Sequence, residues 1–360
     1  MNGKKGYLIL ENGDRYEGEL FGCEKESVGE LVFTTGMCGY IETITDPSYY
    51  GQIVVMTFPL IGNYGDISSD HEGRPALFGF VVREKCDEPS NFRCERTLDE
   101  FLKAEGIPGL CGIDTRSVTE TVRERGTMNA AITGDPCFDV KKLKDYSVRN
   151  AVRSVTCGGV SVSEPEGPAN YSVALIDYGA KGNIVRELTK RGCRVTVFPA
   201  GTEAGTVLSG GFDGLMLSNG PGDPAENTFE IEQIRKMLGK IPAFGICLGH
   251  QLMALASGAS TGKLKYGHRG ANQPVTATGT GRTYITTQNQ GYEVIADTVK
   301  EGNVSYVNAN DGSCEGVDYP EKHAFSVQFH PEACAGPHDT EFLFDRFIAL
   351  MKEGIGHAEG

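Results

Sequence analysis

The stretch Ala243-Phe244-Gly245-Ile246-Cys247-Leu248-Gly249-His250-Gln251 joins an apolar run to a helical one. Residues 243–246 read as a buried strand, and Leu252-Met253-Ala254-Leu255-Ala256 reads as a helix start. A cysteine on a sharp strand-to-helix turn is exposed to ligand and faces the free N–H groups of the helix, which favour negative charge on the sulfur. Gly245 and Gly249 leave room for that turn. The chain has 11 cysteines, and a cysteine in apolar surroundings is commonly an inert buried thiol. The flanking glycines and the switch from strand to helix set Cys247 apart.

Outward from this turn the pattern alternates strand and helix. Tyr171-Ser172-Val173-Ala174-Leu175-Ile176-Asp177 is rich in β-branched residues, 184–191 is helical in pattern, and 194–198 is a second strand. A third strand over 211–217, a helix over 230–238 and the elbow strand over 241–246 follow. The alternation predicts a mostly parallel sheet flanked by helices, with right-handed crossovers. Ligands of such sheets bind at the carboxyl ends of the strands. Two further segments follow strand ends. Ser218-Asn219-Gly220-Pro221-Gly222-Asp223-Pro224 is a Gly/Pro-rich loop whose backbone N–H groups can point into a site. His330-Pro331-Glu332 follows the apolar run 324–329. His330 can take a thiol proton as general base, and Glu332 can orient and charge-stabilise the imidazole. Only seven histidines are present, and this one follows a strand directly, which favours chemistry over a surface-loop role.

The N-terminal half has a different texture. Short β-like runs at 7–10, 29–34, 52–57 and 77–82 are separated by turns such as Asn12-Gly13-Asp14, and helical patterns appear at 98–105 and 117–125. A mixed α+β domain is expected here. The polar, Pro/Gly-rich stretch 161–170 has linker composition, which divides the chain into domains 1–165 and 170–360.

At 360 residues the chain is long enough for two cores. With 34 basic against 48 acidic residues its net charge is −14, which opposes nucleic-acid binding. No apolar run approaches transmembrane length, and residues 1–14 lack a signal-peptide core, so neither a membrane nor secretion is expected. The scattered cysteines contain no Cys-x-x-Cys pair. That favours reduced thiols in a cytoplasmic protein over a disulfide framework or a zinc site; no metal is expected in this chain.

The elbow, the downstream His-Pro-Glu and the Ser-Asn-Gly-Pro-Gly-Asp-Pro loop, in this order, resemble the class I glutamine amidotransferases. The N-terminal half narrows the resemblance. Gly29-Glu30-Leu31-Val32-Phe33-Thr34-Thr35, residues 39–49, Phe58-Pro59-Leu60-Ile61-Gly62-Asn63-Tyr64-Gly65 and Gly112-Ile113-Asp114-Thr115-Arg116 are similar to the small, glutamine-hydrolysing subunit family of carbamoyl-phosphate synthetases.

That resemblance implies hydrolysis of L-glutamine by Cys247, His330 and Glu332, and delivery of ammonia to a separate large subunit. The large subunit would carry the ATP and divalent metal, and this chain no cofactor; it has no Walker loop. The same resemblance assigns glutamine contacts to Ser48, Gly220, Gly222, Leu248, Gln251, Asn289, Gly291 and Tyr292. The Leu248 N–H and a loop glycine N–H would form the oxyanion hole. From the residues alone, Ser48 is equally a turn hydroxyl after Pro47. Gln290 stands where some relatives have histidine, and Phe329 where others have glycine, which bears on fine positioning of substrate. Two alternatives stay open: the glutaminase component of another synthase, and a regulatory paralogue without catalysis.

Overall fold

The computed structural model describes residues 4–356; residues 1–3 and 357–360, at the outer ends of the two expected domains, lie outside the described residues. The chain forms two compact units. The first runs to Arg149 and takes in Lys265–Gly270; the second holds Asn150–Leu264 and the chain from Ala271 onward.

In the first unit seven strands close into a barrel. Around it, Lys4–Leu10 is followed by Arg15–Gly22, Pro108–Cys111, Gly79–Val81, Gln52–Met56, Ser27–Thr34 and Met128–Thr133, which pairs back to the first strand. Because side chains alternate along a strand, the same strands feed two apolar clusters. Leu31, Ile53, Val55 and Ile132 pack with Val118 and Val122 of helix Thr115–Arg125. Val32, Val54 and Phe80 pack with Phe101 and Leu102 of helix Leu98–Ala104. Both helices start on side-chain caps, Thr97 with Glu100 in a capping box and Asp114 on the Ser117 N–H.

The second unit is built on a ten-stranded sheet. At its centre Cys193–Pro199, Tyr171–Asp177, Gly214–Leu217, Ala243–Ile246 and Ala324–Val327 run parallel. Helices cover both faces. Gly182–Lys190 and Phe342–Gly356 share one core with Phe244 and Phe325. Thr228–Met237 and Leu248–Ala256 share the other with Leu215 and Leu217. The architecture is the expected one in outline, a mixed N-terminal domain and a C-terminal sheet flanked by helices, with the sheet parallel across its central strands and antiparallel at the outer ones.

The expected linker lies elsewhere in the fold. Ser161–Ser163 is a strand of the second unit, antiparallel to Cys193–Pro199. It is short and largely exposed, so its polar composition suits a sheet edge as well as a linker. The chain first passes from one unit to the other between Arg149 and Asn150, and it returns briefly to the first over Lys265–Gly270. The elbow helix begins at Leu248, four residues before its apolar run, so Gln251 is its fourth residue.

Candidate active site

Cys247 sits between strand Ala243–Ile246 and helix Leu248–Ala256 with φ 54° and ψ −105°. A positive φ is strained for a residue with a side chain, costing about 1–3 kcal/mol, and such strain persists only where the surroundings impose it. Here they do. The Cys247 N–H donates to Val327 O at 2.9 Å, and the Gly249 N–H to Ser218 O at 3.0 Å. The elbow is thereby tied to the ends of both neighbouring strands. A Cβ on Gly249 would come within 2.3 Å of Leu217 O, and one on Gly245 within 2.5 Å of Met253 Sδ. These glycines serve close approach, as the turn requires.

His330 and Glu332 follow the adjacent strand Ala324–Val327, and both are buried. The His330 N–H donates to Thr287 O at 2.9 Å. His330 Nδ1 lies 2.6 Å from Glu332 Oε1. A carboxylate oxygen can only accept, so Nδ1 carries the hydrogen and Nε2 is left for another partner. Nε2 makes no hydrogen bond of ordinary geometry among the described residues. Burial and the Lys181 ammonium oppose a charge on the imidazole, but Glu332 and the neighbouring Cys247 sulfur outweigh them and raise its pKa. Burial opposes the charge on Glu332 too, yet His330 and Lys181 together hold its carboxyl well below the usual range. The Cys247 thiol points to Asn289 O at 3.8 Å. The arrangement can deprotonate a thiol and return the proton to a leaving group.

The loop after strand Gly214–Leu217 closes on the elbow. A Cβ on Gly220 would stand 2.3 Å from Tyr178 O and 2.8 Å from Leu248 Cδ2, so this backbone lies against the start of the elbow helix. Gly222 has φ 90°, which glycine alone adopts without strain. Leu248 is the first residue of its helix, where an N–H has no intrahelical acceptor. On strand Thr283–Val294, Asn289 meets the Cys247 thiol, and Tyr292 O accepts from Gln251 Nε2 at 2.8 Å. Gly291 lies between them in sequence. Ser48 belongs to the first unit, in the turn Pro47–Tyr49, with its N–H on Asp46 Oδ1 at 2.9 Å.

Sequence reasoning overlooked several neighbours. Lys181 Nζ is 3.5 Å from Glu332 Oε1, with both side chains buried. Asn183 Nδ2 donates to Glu332 O at 2.9 Å. Asn219 braces this segment, accepting from the Lys181 N–H at 3.0 Å and donating to Gly179 O at 2.9 Å. The signal was available: Lys181 and Asn183 follow the carboxyl end of strand Tyr171–Asp177 and Asn219 that of Gly214–Leu217, by the rule that singled out Cys247. Gln328, fully buried, accepts from Gln251 Nε2 at 2.8 Å. Of the two departures, Phe329 turns into the apolar core, edge-on to Tyr306 at 5.5 Å between ring centroids. Gln290 Nε2 donates to Gln288 Oε1 at 3.1 Å. Among the described residues no group of three or more His, Cys, Asp or Glu is placed to hold a metal ion, and no helix is long and apolar enough to cross a membrane.

Comparison with known proteins divides the chain in the same way. Residues 8–132 match the family model described as carbamoyl-phosphate synthase small chain, CPSase domain, and residues 174–350 match glutamine amidotransferase class-I. The chain is 50% identical over 356 residues to a carbamoyl phosphate synthase small chain of Bacillus caldolyticus, covering 97% of each chain. It is 51% identical over 348 residues to one of Clostridium perfringens, covering 96% of this chain and 99% of that one. To one of Listeria monocytogenes it is 49% identical over 364 residues, covering 98% and 99%.

Proposed function

The chain belongs to the carbamoyl-phosphate synthase small-chain family, with a class I glutamine amidotransferase domain, and from that premise we propose that it is the glutaminase subunit of a glutamine-dependent carbamoyl-phosphate synthase. It hydrolyses L-glutamine to glutamate and ammonia through a cysteinyl thioester. The observation that carries this reading is Cys247 held at positive φ on the elbow, in one site with a His330 whose other ring nitrogen is fixed by Glu332.

The geometry supports the following steps. His330 Nε2 takes the Cys247 proton, and the sulfur attacks the side-chain amide carbon of glutamine. The oxyanion that develops on the amide oxygen is met by the Leu248 N–H and an N–H of the Gly220–Gly222 loop, donors that require no reorganisation. The intermediate collapses, and His330 gives its proton to the departing nitrogen, which leaves as ammonia. A γ-glutamyl thioester remains on Cys247. Water, deprotonated by His330, attacks the thioester carbonyl; glutamate leaves and the thiol is restored. Glu332 keeps its charge throughout and stabilises the imidazolium in both halves. Gln251, Asn289, Gly291 and Tyr292 hold the rest of the glutamine.

Ammonia released into water would be lost, so its consumer must be a partner. This chain carries no ATP motif in its sequence. The large synthetase subunit is that partner, using bicarbonate and two ATP, with its divalent metal, to make carbamoyl phosphate for pyrimidine or arginine synthesis in the cytoplasm. The barrel unit, which contributes no catalytic set of its own, is the docking surface. Similarity over nearly the whole length of the relatives, with a small-chain match at residues 8–132, supports this synthase over another glutamine-dependent one.

The test separates the two half-reactions. Cys247→Ser should abolish glutamine-dependent synthesis by the complex and leave ammonia-dependent synthesis intact. A Ser variant that still uses glutamine at near wild-type rate contradicts the proposal.

A further inference from the structure

Helix Thr228–Met237 turns one face inward, and the buried residues on it are Glu230, Gln233, Ile234 and Met237, the spacing of a core stripe. Three of the four have an evident place. Ile234 and Met237 pack in the core shared with Leu215 and Leu217, and Gln233 Oε1 accepts from the Ala204 N–H at 3.0 Å. Glu230 is only 5% exposed, yet among the described residues its carboxylate takes part in no hydrogen bond or ion pair. The start of the helix favours negative charge there but gives the side chain no donor. An alanine would fill the position without burying a charge, so packing does not account for a glutamate.

Glu230 lines a cavity of about 150 Å³, and every residue of its wall belongs to the second unit. Asp223 and Glu226 add two more carboxylates to the lining, against the one cation of Arg153. Arg153 and Glu226 are exposed and stand at the mouth, while Glu230 is buried, so the inner end is negative. Among the described residues the acidic groups are not clustered tightly enough to hold a metal ion. An organic cation answers both needs of Glu230: its N–H groups fill the empty lone pairs, and its charge offsets the buried one. A cavity of this size takes a molecule of about six non-hydrogen atoms, as an apolar one takes benzene.

We propose that this cavity binds a small primary alkylammonium ion with its ammonium on Glu230, and that the bound ion acts on the oxyanion loop. The cavity is separate from the thiol site, since Cys247, Leu248, Gln251 and His330 are absent from its wall. The link is the backbone of Gly222, which does line it, as does Ala151. A Cβ on Gly222 would come within 2.8 Å of the Ala151 Cβ, so Ala151 backs the loop whose Gly220 lies against Leu248. A ligand seated among Ala151, Gly222 and Glu230 favours whichever loop position leaves room for it, and so biases the donor that meets the oxyanion. Binding at Glu230 stands independently of the glutaminase reading; only the effect on rate rests on it.

The test titrates the full chain with butylammonium chloride by calorimetry, at an ionic strength held constant with sodium chloride. Saturable binding is expected, weakened about 10- to 100-fold in Glu230→Gln, the range for a hydrogen bond to a charged group. Binding that is absent, or equally tight in the variant, overturns the site. If the variant does not fold, the wild type decides through 1-butanol, which has the same chain without the charge: affinity equal to that of butylammonium overturns it as well. The second arm measures kcat/KM for glutamine in the complex with the large subunit. Saturating butylammonium should change it by about fivefold, the lower end of ordinary coupling between sites. An unchanged value, with binding established, overturns the link to the loop. A wild type that hydrolyses no glutamine sinks the glutaminase reading instead, while the calorimetry still decides the site.

Discussion

In the first unit, Asp66 is buried between His71 Nε2 and Arg96 Nε, each at 2.7 Å. In the second, Glu332 is buried between His330 Nδ1 at 2.6 Å and Lys181 Nζ at 3.5 Å. Both are a carboxylate clasped by an imidazole and a further cation. Around the first, the His71 ring and the Arg96 guanidinium lie against Phe101, at 5.2 Å and 4.7 Å, and the cluster pins the segment 66–71 to residue 96. Around the second, the imidazole faces a cysteine on a strained turn. The donor sets are alike, so the imidazole–carboxylate–cation set does not by itself make a catalytic site. What distinguishes the second is the backbone of Cys247, held at positive φ by bonds to two neighbouring strands.

The comparison predicts unequal consequences. The largest should follow His330→Asn, which removes the base; losses of this kind are typically about 10²–10⁴-fold in rate, read as glutamate release by the complex. A loss no larger than that of Glu332→Gln would contradict the assigned roles, because the carboxylate supports the imidazole and moves no proton.

Next come the charges on either side of the imidazole, which should act in opposite directions on the pH profile. Glu332 raises the His330 pKa and Lys181 lowers it. Glu332→Gln removes the attraction, so the acid limb of kcat/KM, where the base becomes protonated, should move to lower pH. Lys181→Met removes the opposition, so the same limb should move to higher pH, with a smaller change in the maximal rate. Limbs that move together, or stay where they are, would show that His330 does not set the profile.

The smallest effect on catalysis should be that of His71→Leu. It breaks one hydrogen bond to a buried carboxylate, worth about 1–3 kcal/mol. Thermal melts should fall by a few degrees, while glutamine hydrolysis by the isolated chain is maintained. A collapse of glutaminase activity in this variant would erase the distinction between the two clusters.

The parallel sheet was the most legible part of the fold. Tyr171–Asp177 has the bounds its β-branched run predicts, and Leu98–Ala104 differs by one residue from its helical pattern. Three barrel strands escaped because they lack that signature. Arg15–Gly22 carries charges and glycines on a half-exposed face, Pro108–Cys111 is four residues opening on proline, and Met128–Thr133 is centred on alanines. The long helix Phe342–Gly356 also went unread. At the site, Cys247, His330 and Glu332 could be picked out because each follows a strand end and carries unusual chemistry. Lys181, Asn183 and Gln328 carry ordinary chemistry, and their importance lies in partners contributed by other strands of the sheet. Tertiary structure alone brings those together.

The central claim is that the strained Cys247 carries the acyl group. The most direct measurement is an acid quench of the chain during turnover of glutamine with the large subunit, followed by mass mapping of its cysteine peptides. The account predicts one γ-glutamyl group on the Cys247 peptide, absent in Cys247→Ser. Steady hydrolysis with no adduct on Cys247, or with the adduct on any other cysteine, would contradict it.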